Sequence, residues 1–410
     1  MVRAGGHMMG RSERPILMRR FAAVLAVFAV SLAVAAQTPM TPQQALTRLM
    51  TAPVQAAWFD KEFLAKVPVA QVEQIVEQYT GQWGKFQSVQ GSGSSYTVFL
   101  ERASFPAKVA LNAQGQFIGL WFGVAQPRYA SFDESVKPFR DLPGKVSLLV
   151  LENGAAKAAV NADDPMAVGS AFKLAVLAAL KKEIAAGKHR WDEVVPLRPA
   201  WKTLPSGVIR TWPDETPMTL ATYANEMISI SDNTAADALL AIAGRREVEA
   251  VSPRNTPFLS TREAFILKDP DNAGLLEKWR SADAAGRAAL LPEIDRKPLP
   301  DPGIFVRDPL ATDVEWFLTA TELCRLIDSV RELGAMHINP GLADAKDWQQ
   351  VAFKGGSEPG VLNLTTELTD KQGHHSCVAA TWNNSQALDE NRFYTLYGGV
   401  LSALAAESSH

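Results

Sequence analysis

The apolar positions of this chain change period several times, and the changes divide it into elements. Residues 21–36 form an apolar run that follows Met18-Arg19-Arg20. Residues 44–50 and 69–79 place apolar side chains three and four apart, the repeat of one helical face, and Pro68 suits the start of the second helix. Residues 96–100, 107–111 and 117–122 alternate as strands do, with Gly-rich and Asn-containing turns at 91–95 and 112–115. A helix is predicted at 132–141 and a strand at 145–151, ended by Glu152-Asn153-Gly154. Helical patterns dominate from 170 to about 335. Strands return at 350–354, 360–367 and 376–382, and a last helix fits 392–404. Between 252 and 310 eight prolines and many charges interrupt any period, which predicts a long loop with one helix around 275–290.

The pattern is α+β twice over. Residues 37–128 read as helices followed by an antiparallel meander. Residues 129–410 read as a helical cluster against an antiparallel sheet built from both ends of the segment. The length of 410 residues suits two such units, since single cores usually stop growing near about 250–300 residues. No internal repeat appears.

Composition changes this picture at one place only. Apolar residues make up 47% and charged residues 21%, ordinary for a globular protein, and the formal net charge is −3. That balance gives no basic surplus for nucleic acid or an anionic membrane. The amino terminus differs. Two arginines, then a 16-residue apolar run broken only by Ser31 and ending in Ala33-Val34-Ala35-Ala36, follow the order of a secretory leader, with Met18 as the better start. The run is short for a spanning helix. A leader at 1–36, cleavage without a retained membrane span, and a periplasmic or secreted location are therefore expected. The two cysteines, Cys324 and Cys377, fall in apolar helical and strand-like patterns and are expected as buried free thiols.

Three short motifs carry candidate chemistry. Ser170-Ala171-Phe172-Lys173 opens an apolar helix. A serine there meets free backbone N–H groups, and a lysine three residues on projects on the same face, about 5–6 Å away at Cβ. A lysine desolvated in such a place loses its proton more easily and can take one from the serine. Ser231-Asp232-Asn233 lies between two apolar stretches. Lys354-Gly355-Gly356-Ser357 follows a short strand, where glycines let a substrate approach and the lysine attracts a carboxylate. Alone, each has an ordinary explanation: about one S-x-x-K is expected by chance in 400 residues, and Ser, Asp and Asn all cap helices.

Together the three stand 61 and 123 residues apart, and their order and context resemble the S-x-x-K, S-D-N and K-T-G set of class A β-lactamases and penicillin-binding proteins. The resemblance spans about residues 130–408 and is strongest around Ser231-Asp232-Asn233-Thr234-Ala235-Ala236. It implies a β-lactamase/transpeptidase-like domain and a serine hydrolase without a cofactor or metal. Ser170 would be acylated and Lys173 would be its base. Ser231 would pass a proton to the leaving group, and Asn233 would orient Lys173 and the substrate amide. Lys354 would attract the carboxylate of a small-molecule substrate. The N–H groups of Ser170 and Ser357 would form the oxyanion hole, with Asp232 structural. The layout also resembles a subgroup with a small cystatin- or isomerase-like domain at its amino terminus, known from a clavulanic-acid biosynthesis cluster.

Two departures limit the expected chemistry. Gly355 replaces the usual hydroxyl residue after the lysine, although Ser357 can substitute for it. The deacylating glutamate of class A enzymes has no counterpart with the required neighbours; Glu263 is the nearest candidate. The expectation is a Ser170 acyl-enzyme formed on a β-lactam, ester or peptide-like amide, persistent with a β-lactam, with Lys173 serving both steps. The alternative is a catalytically weak or inactive penicillin-binding or sensor module on a lactamase scaffold. The six histidines show no metal spacing, no P-loop or G-x-S-x-G elbow occurs, and the ten tryptophans are scattered as core residues are.

Overall fold

A computed structural model describes residues 40–129, 131–306 and 308–407. The expected leader lies outside the described residues. The chain begins with helix α1 (Pro42–Thr51), closed by a capping box between Thr41 and Gln44. After a short helix, Lys61–Lys66, comes α2 (Val69–Trp83), which buries Val72 and Val76 on one face. Strands β1 (Phe86–Ser92), β2 (Ser95–Leu100), β3 (Ala103–Leu111) and β4 (Phe117–Phe122) then form an antiparallel meander in sequence order. Its inward positions, Val98, Leu100, Phe105, Ala107, Val109 and Phe117, join Leu46 and Leu49 of α1 in one core. β1 was not expected, because its start, Phe86-Gln87-Ser88, breaks register with β2 and blurs the alternation.

The second sheet has the order β7-β8-β9-β5-β6 and is antiparallel throughout. Its strands are β5 (Lys145–Glu152), β6 (Ala155–Val160), β7 (Gln350–Glu358), β8 (Val361–Thr369) and β9 (His375–Asn383). The elements between β6 and β7 include α3 (Lys173–Ala185), α4 (Leu220–Ser229), α5 (Asn233–Ala243), α6 (Thr261–Lys268), α7 (Ala273–Ser281), α8 (Ala284–Asp295) and α9 (Ala320–Val330); α10 (Glu390–Glu407) closes the chain. The sheet is covered on both faces. Leu149, Cys377 and Ala379 point into the helical cluster around α3, while Leu148, Val150, Val378 and Ala380 point towards Phe393, Leu396 and Tyr397 of α10. Strand alternation thus divides one apolar run between two cores.

Two expectations need correction. The segment 252–310 is mostly helical rather than a loop with one helix: it holds three short helices, α6, α7 and α8, with side-chain caps on α6 and α8. Ser260 and Glu263 form a capping box at α6, Pro270 starts a 3₁₀ turn, and Asp283 caps α8. The prolines punctuate three helices and hide their periods. Second, Cys324 and Cys377 are not free thiols: they form a disulfide between α9 and β9, with Cα atoms 5.8 Å apart. The apolar pattern places each cysteine in the core but does not say that the two face each other.

Candidate active site

Ser170 stands in a 3₁₀ turn, Gly169–Phe172, that runs directly into α3. The turn is held from both sides. Val168 N–H donates to Trp316 O at 3.1 Å, and the Trp316 ring stacks on Phe172 with centroids 3.9 Å apart. Gly169 is left-handed, with φ 49°. A methyl group there would also lie 3.2 Å from Ser357 N, so glycine suits both the backbone and the space. Lys173, the first residue of α3, is fully buried. Its Nζ lies within hydrogen-bond distance of Ser170 Oγ (3.1 Å), Ser231 O (2.5 Å), Ser231 Oγ (3.0 Å) and Asn233 Oδ1 (2.6 Å).

Ser231 and Asn233 reach that point because of the residue between them. Asp232 is 1% exposed and caps α5 by accepting from Ala235 N at 2.9 Å. Its other oxygen accepts from the N–H groups of Val208 and Ile209 at 2.6 and 2.8 Å. The carboxylate therefore fastens the 206–211 loop to the start of α5. Ser231 is left-handed, φ 60°, a conformation that costs a non-glycine residue about 1–3 kcal/mol and persists only where the surroundings impose it. Here Lys173 Nζ and Ser206 Oγ both donate to its carbonyl, the latter at 2.6 Å. Asn233 turns its amide oxygen to Lys173 and donates from Nδ2 to Leu204 O at 3.2 Å.

The edge strand β7 supplies the opposite wall. Lys354 is 3% exposed, and its Nζ donates to Ser231 Oγ at 3.1 Å and to Gly355 O at 2.5 Å. The hydroxyl of Ser231 thus lies between two lysines. A Cβ on Gly356 would fall 2.5 Å from Ser170 N and 2.2 Å from Val168 O, so only glycine lets β7 lie against the nucleophile turn. Ser357 is exposed at the rim. All six nominated residues, Ser170, Lys173, Ser231, Asn233, Lys354 and Ser357, meet in this one region. Five of them line a cavity of about 670 Å³, with Lys173 beneath its floor.

Electrostatics divide the charged groups of the site. Burial, and then the charge of Lys354, hold the Lys173 ammonium well below the usual lysine range; Asp232 and Asp237 oppose the shift. Burial brings Lys354 down to about 7. Glu263 is not at the site. Its carboxylate is 1% exposed and bound to Arg245 at 2.7 and 3.0 Å and to Ser260 N at 2.6 Å. The cavity wall instead contains Lys268, Glu315 and Glu358, which sequence reasoning did not single out. They come from three distant segments and belong to no local motif. Among the described residues no cluster of His, Cys, Asp or Glu could hold a metal ion, and no helix is long and apolar enough to cross a membrane.

Comparison with known proteins bears on the first half of this site. Residues 131–258 match the beta-lactamase enzyme family. That stretch contains Ser170, Lys173 and the Ser231–Asn233 segment; Lys354 and Ser357 lie beyond it. No curated protein matches the chain. Among solved structures, a β-lactamase of Sphaerobacter thermophilus is 20% identical, with 68% of this chain and 96% of that one covered and a TM-score of 0.48. A β-lactamase of Chitinophaga pinensis is 14% identical over 67% and 96%, with a TM-score of 0.44. The penicillin-binding protein PBP-A is 14% identical over 67% and 95%, with a TM-score of 0.45.

Proposed function

We propose that the protein is a lactamase-like serine acyl-hydrolase that works through an acyl-enzyme on Ser170. The observation that carries this reading is the setting of Lys173. Its Nζ is 3.1 Å from Ser170 Oγ, buried among neutral oxygens and pushed towards the unprotonated amine. An amine in that state has a lone pair free for the hydroxyl proton. In the acylation step the Ser170 Oγ–H bond breaks and the proton passes to Lys173 Nζ. Oγ bonds to the carbonyl carbon of a lactam, ester or amide. Collapse of the tetrahedral adduct breaks the bond to the leaving nitrogen or oxygen, which takes a proton through Ser231 Oγ. The N–H groups of Ser170 and Ser357, on segments packed together at Gly169 and Gly356, receive the charge that develops on the carbonyl oxygen. Asn233 holds Lys173 and meets the substrate amide, and Lys354 draws in a substrate carboxylate.

Hydrolysis of the acyl-enzyme is the slower step in this reading. Glu263 is engaged with Arg245, and Lys173 serves both halves of the reaction. The test is intact-mass analysis after incubation with a fluorescent penicillin and with a fluorophosphonate. One adduct on Ser170, absent in Ser170→Ala, is expected, together with slow nitrocefin turnover. No adduct from either probe would sink the hydrolase reading and leave an inactive binding module. The Cys324–Cys377 disulfide supports export to an oxidising compartment, as the leader pattern implies.

A further inference from the structure

Lys268, Glu315 and Glu358 share the cavity with Ser170 but take no part in the acylation step. Lys268, the last residue of α6, is 2% exposed. Its Nζ donates to both oxygens of Glu358 at 2.6 Å and to Glu315 Oε1. Two carboxylates therefore face one ammonium, and among the described residues no other cation pairs with either of them. The Glu315 side chain is 1% exposed, and its second oxygen, Oε2, is buried and receives no hydrogen bond. A buried acceptor without a donor is costly. Burial and the neighbouring Glu315 push the Glu358 carboxyl well above its ordinary range. The Glu358 side chain remains 20% exposed.

The position of this cluster along β7 says which part of a substrate meets it. Lys354, Ser357 and Glu358 follow one another on that strand, with about 13 Å from first to last at the usual rise per residue. A substrate whose carboxylate is drawn to Lys354, and whose carbonyl oxygen lies at Ser357 N–H, extends its acyl portion past Glu358. Glu315 approaches the same place from the other side, since it precedes Trp316, which stacks on Phe172.

We infer that the Lys268–Glu315–Glu358 cluster is a specificity site for a primary ammonium group on the acyl portion of the substrate. The ammonium supplies the donor that Glu315 Oε2 lacks and a second cation for the pair of carboxylates that Lys268 alone faces. The substrate is then bipolar, with a carboxylate at Lys354 and an ammonium beyond the scissile carbonyl. This rests on the hydrolase reading, because only an acyl-enzyme on Ser170 aligns the acyl portion with Glu358.

The test uses two penicillins that differ by one amine. Ampicillin carries an α-amino group that benzylpenicillin lacks, and N-acetylampicillin carries the same nitrogen without charge. Rates of Ser170 acylation are read by intact mass. Ampicillin should acylate at least about tenfold faster than both neutral compounds, since pairing a buried carboxylate contributes more than about 1.4 kcal/mol, a factor of ten. In Glu358→Gln and Glu315→Gln that ratio should fall towards one. A wild-type ratio at or below one overturns the inference, as does a high ratio that Glu358→Gln leaves unchanged. If the variants do not fold, the wild-type comparison of the three compounds decides alone. If none of the three acylates Ser170, the hydrolase reading itself falls, and the inference with it.

Discussion

Two lysines are buried in the wall and floor of the same cavity, and their surroundings shift their proton affinities in opposite directions. Lys173 is surrounded by hydroxyl, carbonyl and amide oxygens, has a second lysine nearby, and is held well below the ordinary lysine range. Lys268 is as deeply buried, but two carboxylates face it, and its proton is held more tightly than in water. Desolvation acts in the same direction on both. The difference lies in the partners: neutral acceptors do not offset the loss of water around a charge, whereas Glu315 and Glu358 do. One lysine is thereby suited to take a proton, the other to keep one.

The sharpest way to break this comparison is to replace both lysines by arginine, which does not give up its proton. Lys173→Arg should slow acylation as much as Lys173→Met does, by about 100- to 10,000-fold, the usual contribution of a positioned base. Lys268→Arg should be tolerated far better than Lys268→Met. The methionine leaves two buried carboxylates without a cation and should cost about 3–5 kcal/mol in urea unfolding. The sign of its pH dependence follows from Glu358. A carboxyl whose folded pKa is raised favours the fold at low pH and loses that contribution as pH rises through the folded value. The Lys268→Met deficit should therefore shrink on acidification. Arginine rescue at position 173, or none at 268, would contradict the opposite shifts of the two lysines.

A smaller effect separates Lys354 from both. Burial brings it to about 7, so it is charged below that pH and neutral above. Acylation by an anionic penicillin should fall above about pH 7, towards tenfold per unit. Acylation by a neutral ester, which has no carboxylate to attract, should lack that limb. Both should fall on the acidic side as Lys173 takes up its proton. Parallel profiles for the two substrates would remove Lys354 from carboxylate recognition.

The first lysine was legible in the sequence and the second was not. Lys173 lies one turn from Ser170, a distance fixed by helix geometry, and the Ser231–Asn233 and Lys354 motifs mark its partners. The sheet, too, could be read from strands at both ends of residues 129–410, because β5 and β9 alternate between two buried faces. Lys268 meets residues 47 and 90 positions away, and nothing in a local pattern marks such a pairing. Segment 252–310 was misread for a related reason. Its helices are too short for a period to show, and the caps of α6 and α8 are ordinary Ser and Asp residues. The disulfide failed the same way: burial of each cysteine was visible, but contact between α9 and β9 was not.

The smallest expected effect concerns a third buried ion pair, Arg245–Glu263, which stands outside the cavity. Glu263 was the one candidate for the water-activating base. Its oxygens are taken by Arg245 and by the Ser260 N–H of the capping box that starts α6. Glu263→Gln keeps the shape and an acceptor oxygen but removes the charge. It should lower stability by about 1.5–3 kcal/mol, the range for hydrogen bonds to charged groups. Acylation and deacylation rates should stay within about twofold, because a glutamine outside the cavity alters neither Lys173 nor the oxyanion donors. Stopped-flow acylation and recovery from the penicillin adduct measure both. A tenfold slower recovery, at unchanged acylation, would make Glu263 the deacylating base and would return the protein to fast lactamase chemistry. An unchanged recovery leaves Lys173, the lysine without a carboxylate partner, as the base for both steps.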